Sequence, residues 1–228
     1  MTDALPTTAD FKMHHRLRVR WAEVDLQKVV FNPHYLMYVD TAIADYWRSL
    51  ALPYEQALAA LGGELFVKKS TLEFHASAFY DDRLSVGLRC ARIGNSSLQF
   101  VSGIFRGEEL LVSAELIYVF ADPLTRRALT VPDALRKTML GFEQGATVVT
   151  EQVGDWNALK GGVLALRAMD ENDAVARHCL LRNALGEVVA TARLRPGAAE
   201  ADGLAVTPAL QGAGWAKAAM AALSRTDA

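Results

Sequence analysis

The spacing of apolar residues changes period several times along this chain, and each change marks an element. Between residues 15 and 21 apolar and basic side chains alternate, Leu17, Val19 and Trp21 against Arg16, Arg18 and Arg20. A period of two predicts a strand. After a loop, Leu36, Val39, Ile43, Tyr46, Trp47 and Leu50 recur at helical spacing, with Asp40, Arg48 and Ser49 on the other face. Asn32 suits the N-cap of that helix and Pro33 its first helical position. Pro53 opens a second short helix to about Leu61, stopped by Gly62-Gly63. From 66 to 120 the period returns to two. Leu72, Phe74, Ala76 and Ala78 alternate with polar residues, and so do Leu84, Val86, Leu88 and Cys90. Turn residues at 94–95 and 107–109 separate two further runs, 98–105 and 110–120. Runs joined this closely predict an antiparallel meander. Val131-Pro132 opens a short helix to about Leu140. Residues 1–13 are polar and irregular and read as a frayed terminus. One strand, a long helix, then four strands is an α+β layout with the helix packed on a sheet.

The pattern weakens over 141–155, where Gly141 and Gly145 sit in a polar mixture. A boundary placed there divides the chain into residues 1–145 and 150–228. In the second part, 164–167, 176–181 and 186–193 read as strands, the last after a turn at 183–186. A small, acidic loop over 196–203 leads to a short strand at 204–206 and an alanine-rich helix over 211–223. No internal repeat links the two parts.

Composition narrows the function classes. The net charge of −2 supplies no field to draw in nucleic acid or an anionic membrane. No apolar run is long enough for a signal peptide or a membrane span. Cys90 and Cys179 are too few and too far apart for a disulfide framework or a zinc pattern. The expectation is a cytoplasmic protein with no metal.

The best chemical signal is the stretch from Trp21 to Tyr35. A helix start leaves amide donors and a partial positive charge, and here it follows the carboxylate of Asp25 by seven residues. One carboxylate and one set of amides form a minimal constellation for acyl transfer. The amides hold the developing oxyanion, and the acid attacks or activates a water. The plain alternative is a turn-forming aspartate. The order of residues adds to the chemical reading: Arg18-Val19, Asp25, Val29-Val30, Phe31, Asn32-Pro33 and Tyr35, then 36–40, 79–84, 94–98 and Val131-Pro132. This order resembles the 4-hydroxybenzoyl-CoA thioesterase family of hotdog acyl-CoA thioesterases, over the chain to about residue 140. The resemblance implies a hotdog fold, an antiparallel sheet wrapped on a long central helix, with hydrolysis of an acyl-CoA to acid and CoA. It matches Asp25 to the catalytic aspartate, as nucleophile or general base, and the Asn32 amide to the oxyanion donor. It implies no cofactor beyond the CoA of the substrate, and a homodimer or homotetramer with the site between subunits. Lys28 stands where glycine is usual, so a left-handed backbone there costs roughly 1 kcal/mol or the loop differs.

Other residues carry weaker signals. His34 could polarise the carbonyl, and Tyr35 belongs to the same substrate-side motif. Glu23 reads as solvated and His75 as structural. Tyr38, Tyr46 and Trp47 read as core or subunit contact. Arg92, Ser96 and Ser97, at a strand-turn-strand junction, are candidates for the CoA phosphates, although turns select serine anyway. A hotdog hydratase pattern places a histidine five residues after the aspartate, where this chain has Val30. A non-catalytic acyl-CoA or partner-binding module remains the other alternative.

The second signal is Gln211-x-x-Gly214-x-Ala216 between a short strand and a helix. With Gly212 it makes a phosphate cradle. With the strands before it, it resembles the pyrophosphate motif of GNAT-type acetyltransferases, which implies a partial α/β segment. Ala216 replaces a commoner glycine, and twelve residues follow it, fewer than a further strand and helix need. The expectation is a partial segment without acetyl transfer; an N-acetyltransferase is the alternative.

Overall fold

A computed structural model describes residues 5–225. The chain divides into two compact units, one of Leu58–Glu143 with the chain up to Trp47, the other of Arg48–Ala57 with the chain from Gln144.

The first unit holds strand β1 (Met13–Arg18), helix α1 (Asn32–Ser49, its last two residues counted with the second unit), strands β2 (Glu64–Phe74), β3 (Arg83–Ile93), β4 (Ser97–Arg106) and β5 (Glu109–Ala121), and helix α3 (Asp133–Glu143). The short helix α2 (Tyr54–Leu61) precedes β2. The sheet is antiparallel in the order β1-β3-β4-β5-β2. Only β3-β4-β5 is therefore a meander. The expected neighbours β2 and β3 are separated because residues 75–82 carry the chain from one edge across the end of the sheet. That segment bends where the alternation through Ala76 and Ala78 predicts continued strand.

Helix α1 lies across one face of this sheet, and its contacts with four strands place it. Tyr35 stacks edge-on with Phe74 of β2, and Tyr46 with Phe100 of β4. Asp40 accepts a hydrogen bond from Tyr118 of β5 at 3.0 Å, and Asp45 lies 2.7 Å from His15 of β1. Val39, Ala42, Tyr46 and Trp47 are fully buried, so the spacing read from the sequence is the buried face. The start of the described chain is not frayed. Thr8–Asp10 form a 3₁₀ turn, and Phe11 is buried on the other face, its ring against the α-carbons of Gly87 and Gly103. These glycines pair across β3 and β4, and a β-carbon on either would lie within about 2.5 Å of a ring, Phe11 at Gly87 and Phe105 at Gly103.

The second unit contains β6 (Thr150–Asp155), α4 (Trp156–Leu164), β7 (Arg177–Arg182), β8 (Val188–Leu194), β9 (Asp202–Val206) and α5 (Trp215–Arg225). Its sheet is antiparallel in the order β6-β7-β8-β9. Cys179, Leu181, Ala190 and Ala192 on one face pack with Ala219, Ala222 and Leu223 of α5. On the other face His178, Thr191 and Arg193 are buried. There Asp173, fully buried, accepts from both Arg167 and Arg193, and Arg193 also pairs with Asp170 and Asp202. One expectation fails here: the supposed strand over 164–167 is the end of α4 and the turn after it, and β6 lies where the apolar pattern is weak. Asp155 caps α4 by accepting the Ala158 amide at 3.0 Å. Helix α5 begins at Trp215 rather than 211, because Gln211 to Gly214 form the turn.

Candidate active site

The loop before α1 is a small hairpin. Val24 bridges Val30, the Asp25 amide donates to the Val29 carbonyl at 2.9 Å, and the Lys28 amide donates back to the Asp25 carbonyl at 2.9 Å. Asp25 turns the chain with its own side chain, accepting the Gln27 amide on Oδ1 at 2.8 Å. Its other oxygen has no partner among the described residues, and the side chain is half-buried. Lys28 adopts the left-handed conformation, φ 64°, so the loop keeps its geometry and bears the strain.

The hairpin is fastened to the start of α1. The Phe31 amide donates to the Glu23 carbonyl and the His34 amide to the Phe31 carbonyl, both at 2.9 Å. Pro33 has no amide hydrogen. Between them the Asn32 amide makes no hydrogen bond among the described residues. The Asn32 side chain makes none either, and Asn32 is the first helical residue rather than a side-chain cap. A carboxylate oxygen and an unspent amide at a helix start therefore belong to one fastened loop.

The remaining expected residues divide. His34 is half-buried with its ring edge-on to Phe31. Tyr35 faces inward, 2% exposed, and its hydroxyl oxygen accepts the Ala78 amide at 2.8 Å. Burial raises its pKa. Its place is thus in the scaffold: Ala78 in turn accepts the Val30 amide at 2.9 Å, so Tyr35 braces the hairpin. Arg92, Ser96 and Ser97 lie at the far end of β3 from Phe79, the residue that bridges Val29. Eleven strand residues separate these ends by roughly 33 Å, so one chain does not bring the two groups together. Their turn is held by Arg136, which donates to the carbonyls of Ile93 and Gly94 at 3.0 and 2.7 Å.

Glu23 departs from the expectation of a solvated acid. It is buried, 3% exposed, and bonded to Arg20 and to the Tyr38 hydroxyl. Burial opposes its ionisation, but the Arg20 and Tyr38 hydrogen bonds outweigh that and hold its carboxyl below the usual range. The only sequence signal for it is its place two residues before Asp25.

In the second unit, Gln211, Gly212, Gly214 and Ala216 do come together, at the turn between β9 and α5. Gly212 and Gly214 are left-handed, φ 81° and 88°. The amides of Gly212, Gly214, Trp215 and Ala216 make no backbone hydrogen bond among the described residues. They border an open groove of about 1040 Å³ that includes Pro53, Gln56, Lys217 and the edge strand β9. Among the described residues no group of three or more His, Cys, Asp and Glu is placed to hold a metal ion, and no helix is long and apolar enough to cross a membrane.

An antiparallel sheet in this order with one long helix across it, and an acid at that helix's start, defines a hotdog-type acyl-handling fold. Residues 19–139 match the model of the thioesterase-like superfamily, and the chain belongs to that family. Acyl-CoA thioester hydrolase YbgC of Escherichia coli is 28% identical over 120 residues, 52% of this chain and 89% of the relative. The crystal structure of the PA5185 protein from Pseudomonas aeruginosa is 26% identical with a TM-score of 0.53, over 62% of this chain and 99% of that one. A thioesterase from Thermus thermophilus, solved with coenzyme A and zinc, shares the fold at 20% identity and a TM-score of 0.52, over 60% of this chain and 98% of that one. The family match ends before the sheet of the second unit begins.

Proposed function

We propose that this chain hydrolyses an acyl-CoA thioester to the free acid and CoA. The observation that carries the reading is that one fastened loop holds both an Asp25 oxygen without a partner among the described residues and the unspent Asn32 amide. In the reaction the thioester carbonyl oxygen takes up negative charge against the Asn32 amide. The carbon is attacked by the Asp25 carboxylate, or by a water whose proton Asp25 accepts. The C–S bond then breaks and the CoA sulfur leaves, taking a proton. Where Asp25 itself has attacked, a water then cleaves the acyl–aspartyl anhydride, releasing the acid and restoring the carboxylate. His34 stands beside the acyl group. The 28% relative named for this activity supports the substrate class. The test is free-thiol release from a panel of short, long and aromatic acyl-CoAs, wild type beside Asp25→Asn. No turnover on any of them refutes the hydrolase, and a non-catalytic binding module then becomes the better description.

The working form is a homo-oligomer, at least a dimer. Strand β2 is an open edge of eleven residues. A two-fold axis at that edge sets the Asp25 end of one sheet beside the opposite end of the other. Arg92, Ser96 and Ser97 of a second copy then stand on the Asp25 side, where CoA phosphates need cations and hydroxyls. Light scattering that finds only monomer at working concentration refutes this.

For the second unit, the strand order with β9 at the edge, then the glycine turn and α5, supports a partial GNAT-like segment. Its cradle suits a pyrophosphate, through Gln211, Gly212, Gly214 and Ala216, without acetyl transfer. Acetylation of an amine acceptor above background overturns the last point.

A further inference from the structure

Among the described residues of the first unit, Glu23 is the one buried carboxylate. Taking a carboxylate out of water is costly and needs several donors in compensation. Glu23 has four. Its Oε2 accepts the Arg20 amide at 2.7 Å and the Tyr38 hydroxyl at 2.8 Å. Its Oε1 accepts Arg20 Nε at 2.8 Å and Nη2 at 2.5 Å. A 3₁₀ turn at Trp21–Glu23 does not require a bond to α1, so the Tyr38 contact does something besides turning the chain. It joins the segment leading to Asp25 to the helix whose first residue is Asn32. The main chain of Glu23 adds a second joint, since its carbonyl takes the Phe31 amide. That bond spends the donor next to Asn32, and the peptide carrying the free one is held through its own carbonyl, that of Phe31, which accepts the His34 amide at 2.9 Å.

We propose that Glu23 and Tyr38 form a positioning pair, which holds the Asp25 carboxylate and the Asn32 amide at one separation and orientation. The proposal rests on the thioesterase reading and names what keeps its two reacting groups in register. Glu23 touches neither substrate nor reacting atom. Its effect falls on kcat, because a misaligned acid and oxyanion donor still leave the substrate its other contacts.

The test measures kcat and KM by free-thiol release, with the full chain and the acyl-CoA that wild type turns over fastest. The variants are Glu23→Gln, Tyr38→Phe, the double variant and Asp25→Asn. Misplacement of reacting groups by about 1 Å costs on the order of 100-fold. On that scale Glu23→Gln lowers kcat about 100-fold and Tyr38→Phe about 10-fold. KM stays within about twofold, and the double variant is no worse than Glu23→Gln alone, as for two residues acting as a unit. Assays run well below each variant's melting midpoint separate this from loss of fold. If Glu23→Gln does not fold, Tyr38→Phe, which removes a single oxygen, decides the matter. Full kcat in folded Tyr38→Phe, or a raised KM at unchanged kcat, overturns the proposal. A wild type without turnover overturns the hydrolase reading as well. An active wild type silenced by Asp25→Asn but indifferent to Glu23→Gln and Tyr38→Phe overturns this inference alone.

Discussion

The two units each present the start of a helix with unspent amides, and they do so with opposite local chemistry. At α1 the neighbours of Asn32 are used up or absent: Phe31 is bound to Glu23, His34 to Phe31, and Pro33 has no hydrogen to give. An isolated donor faces the charge of one atom, and a carboxylate stands on the same loop. At α5 the amides of Gly212, Gly214, Trp215 and Ala216 all stay open, two left-handed glycines spread them, and the turn contains no acid. A fan of donors suits a group with many anionic oxygens. On the proposed reading, the same dipole and the same orphan amides serve a reaction in one place and a cradle in the other. What decides is how many donors the preceding residues consume and whether an acid is at hand.

The largest test of this contrast is Asp25→Asn. Removing a positioned acid–base group costs about 10²- to 10⁴-fold in kcat, read by thiol release, with little change in melting temperature. Comparable loss from a substitution in the glycine turn of α5 would erase the distinction. Next in size is Asp173→Asn in the second unit. It leaves Arg167 without a carboxylate partner in a buried layer, while Arg193 keeps Asp170 and Asp202, at a cost of about 3–5 kcal/mol, measured by urea unfolding. The Arg167 guanidinium outweighs burial and, with the Asp170 amide and Arg193, holds Asp173 well below the usual carboxylate range. A lowered folded-state pKa gives stability that is complete above the ordinary value of 3.8 and is lost as pH falls below it. Acid therefore loosens the second sheet of wild type, and Asp173→Asn flattens that dependence. Hydrogen exchange at β7 and β8 reads both.

Smaller again is Gly214→Val. No atom lies within 4 Å of the added β-carbon, so the cost is the left-handed backbone alone, roughly 1 kcal/mol or somewhat more. Calorimetric binding of free CoA to the second unit should vanish with it, while thioester turnover stays. Absence of CoA binding by wild type that is traceable to 211–216 removes the cradle. The smallest effect belongs to Lys28→Gly, which relieves φ 64° at the Asp25 turn and adds up to about 1 kcal/mol in thermal unfolding, with kcat unchanged.

Helix α1 is legible in the sequence because its buried face repeats at helical spacing over eighteen residues and its start carries Asn32-Pro33. Strands β3 to β5 are legible because close turns join them. The place of β2 is not, because alternation says which face a residue takes and nothing about which strand it pairs with. Strand β6 is hard to see since Thr150, Glu151 and Gln152 are exposed on a sheet edge and leave little apolar signal. Helix α4 is hidden by Gly161-Gly162, which reads as a break. Gly162 is there because a β-carbon would lie 2.2 Å from Leu180, so it permits close packing rather than a stop. At the site, the acid and the amide are visible in order and spacing. The role of Glu23 is not, since its burial depends on Tyr38, fifteen residues away on another element.

The paired glycines of β3 and β4 bear on how this protein can be trimmed. A sheet face without side chains at 87 and 103 has a slot one ring wide, and the chain fills it with its own eleventh residue. A cut that removes the first dozen residues would take a plug from the back of the catalytic sheet, not a tail. It would leave a flat apolar slot beside Phe105, shaped for a planar aromatic solvent molecule.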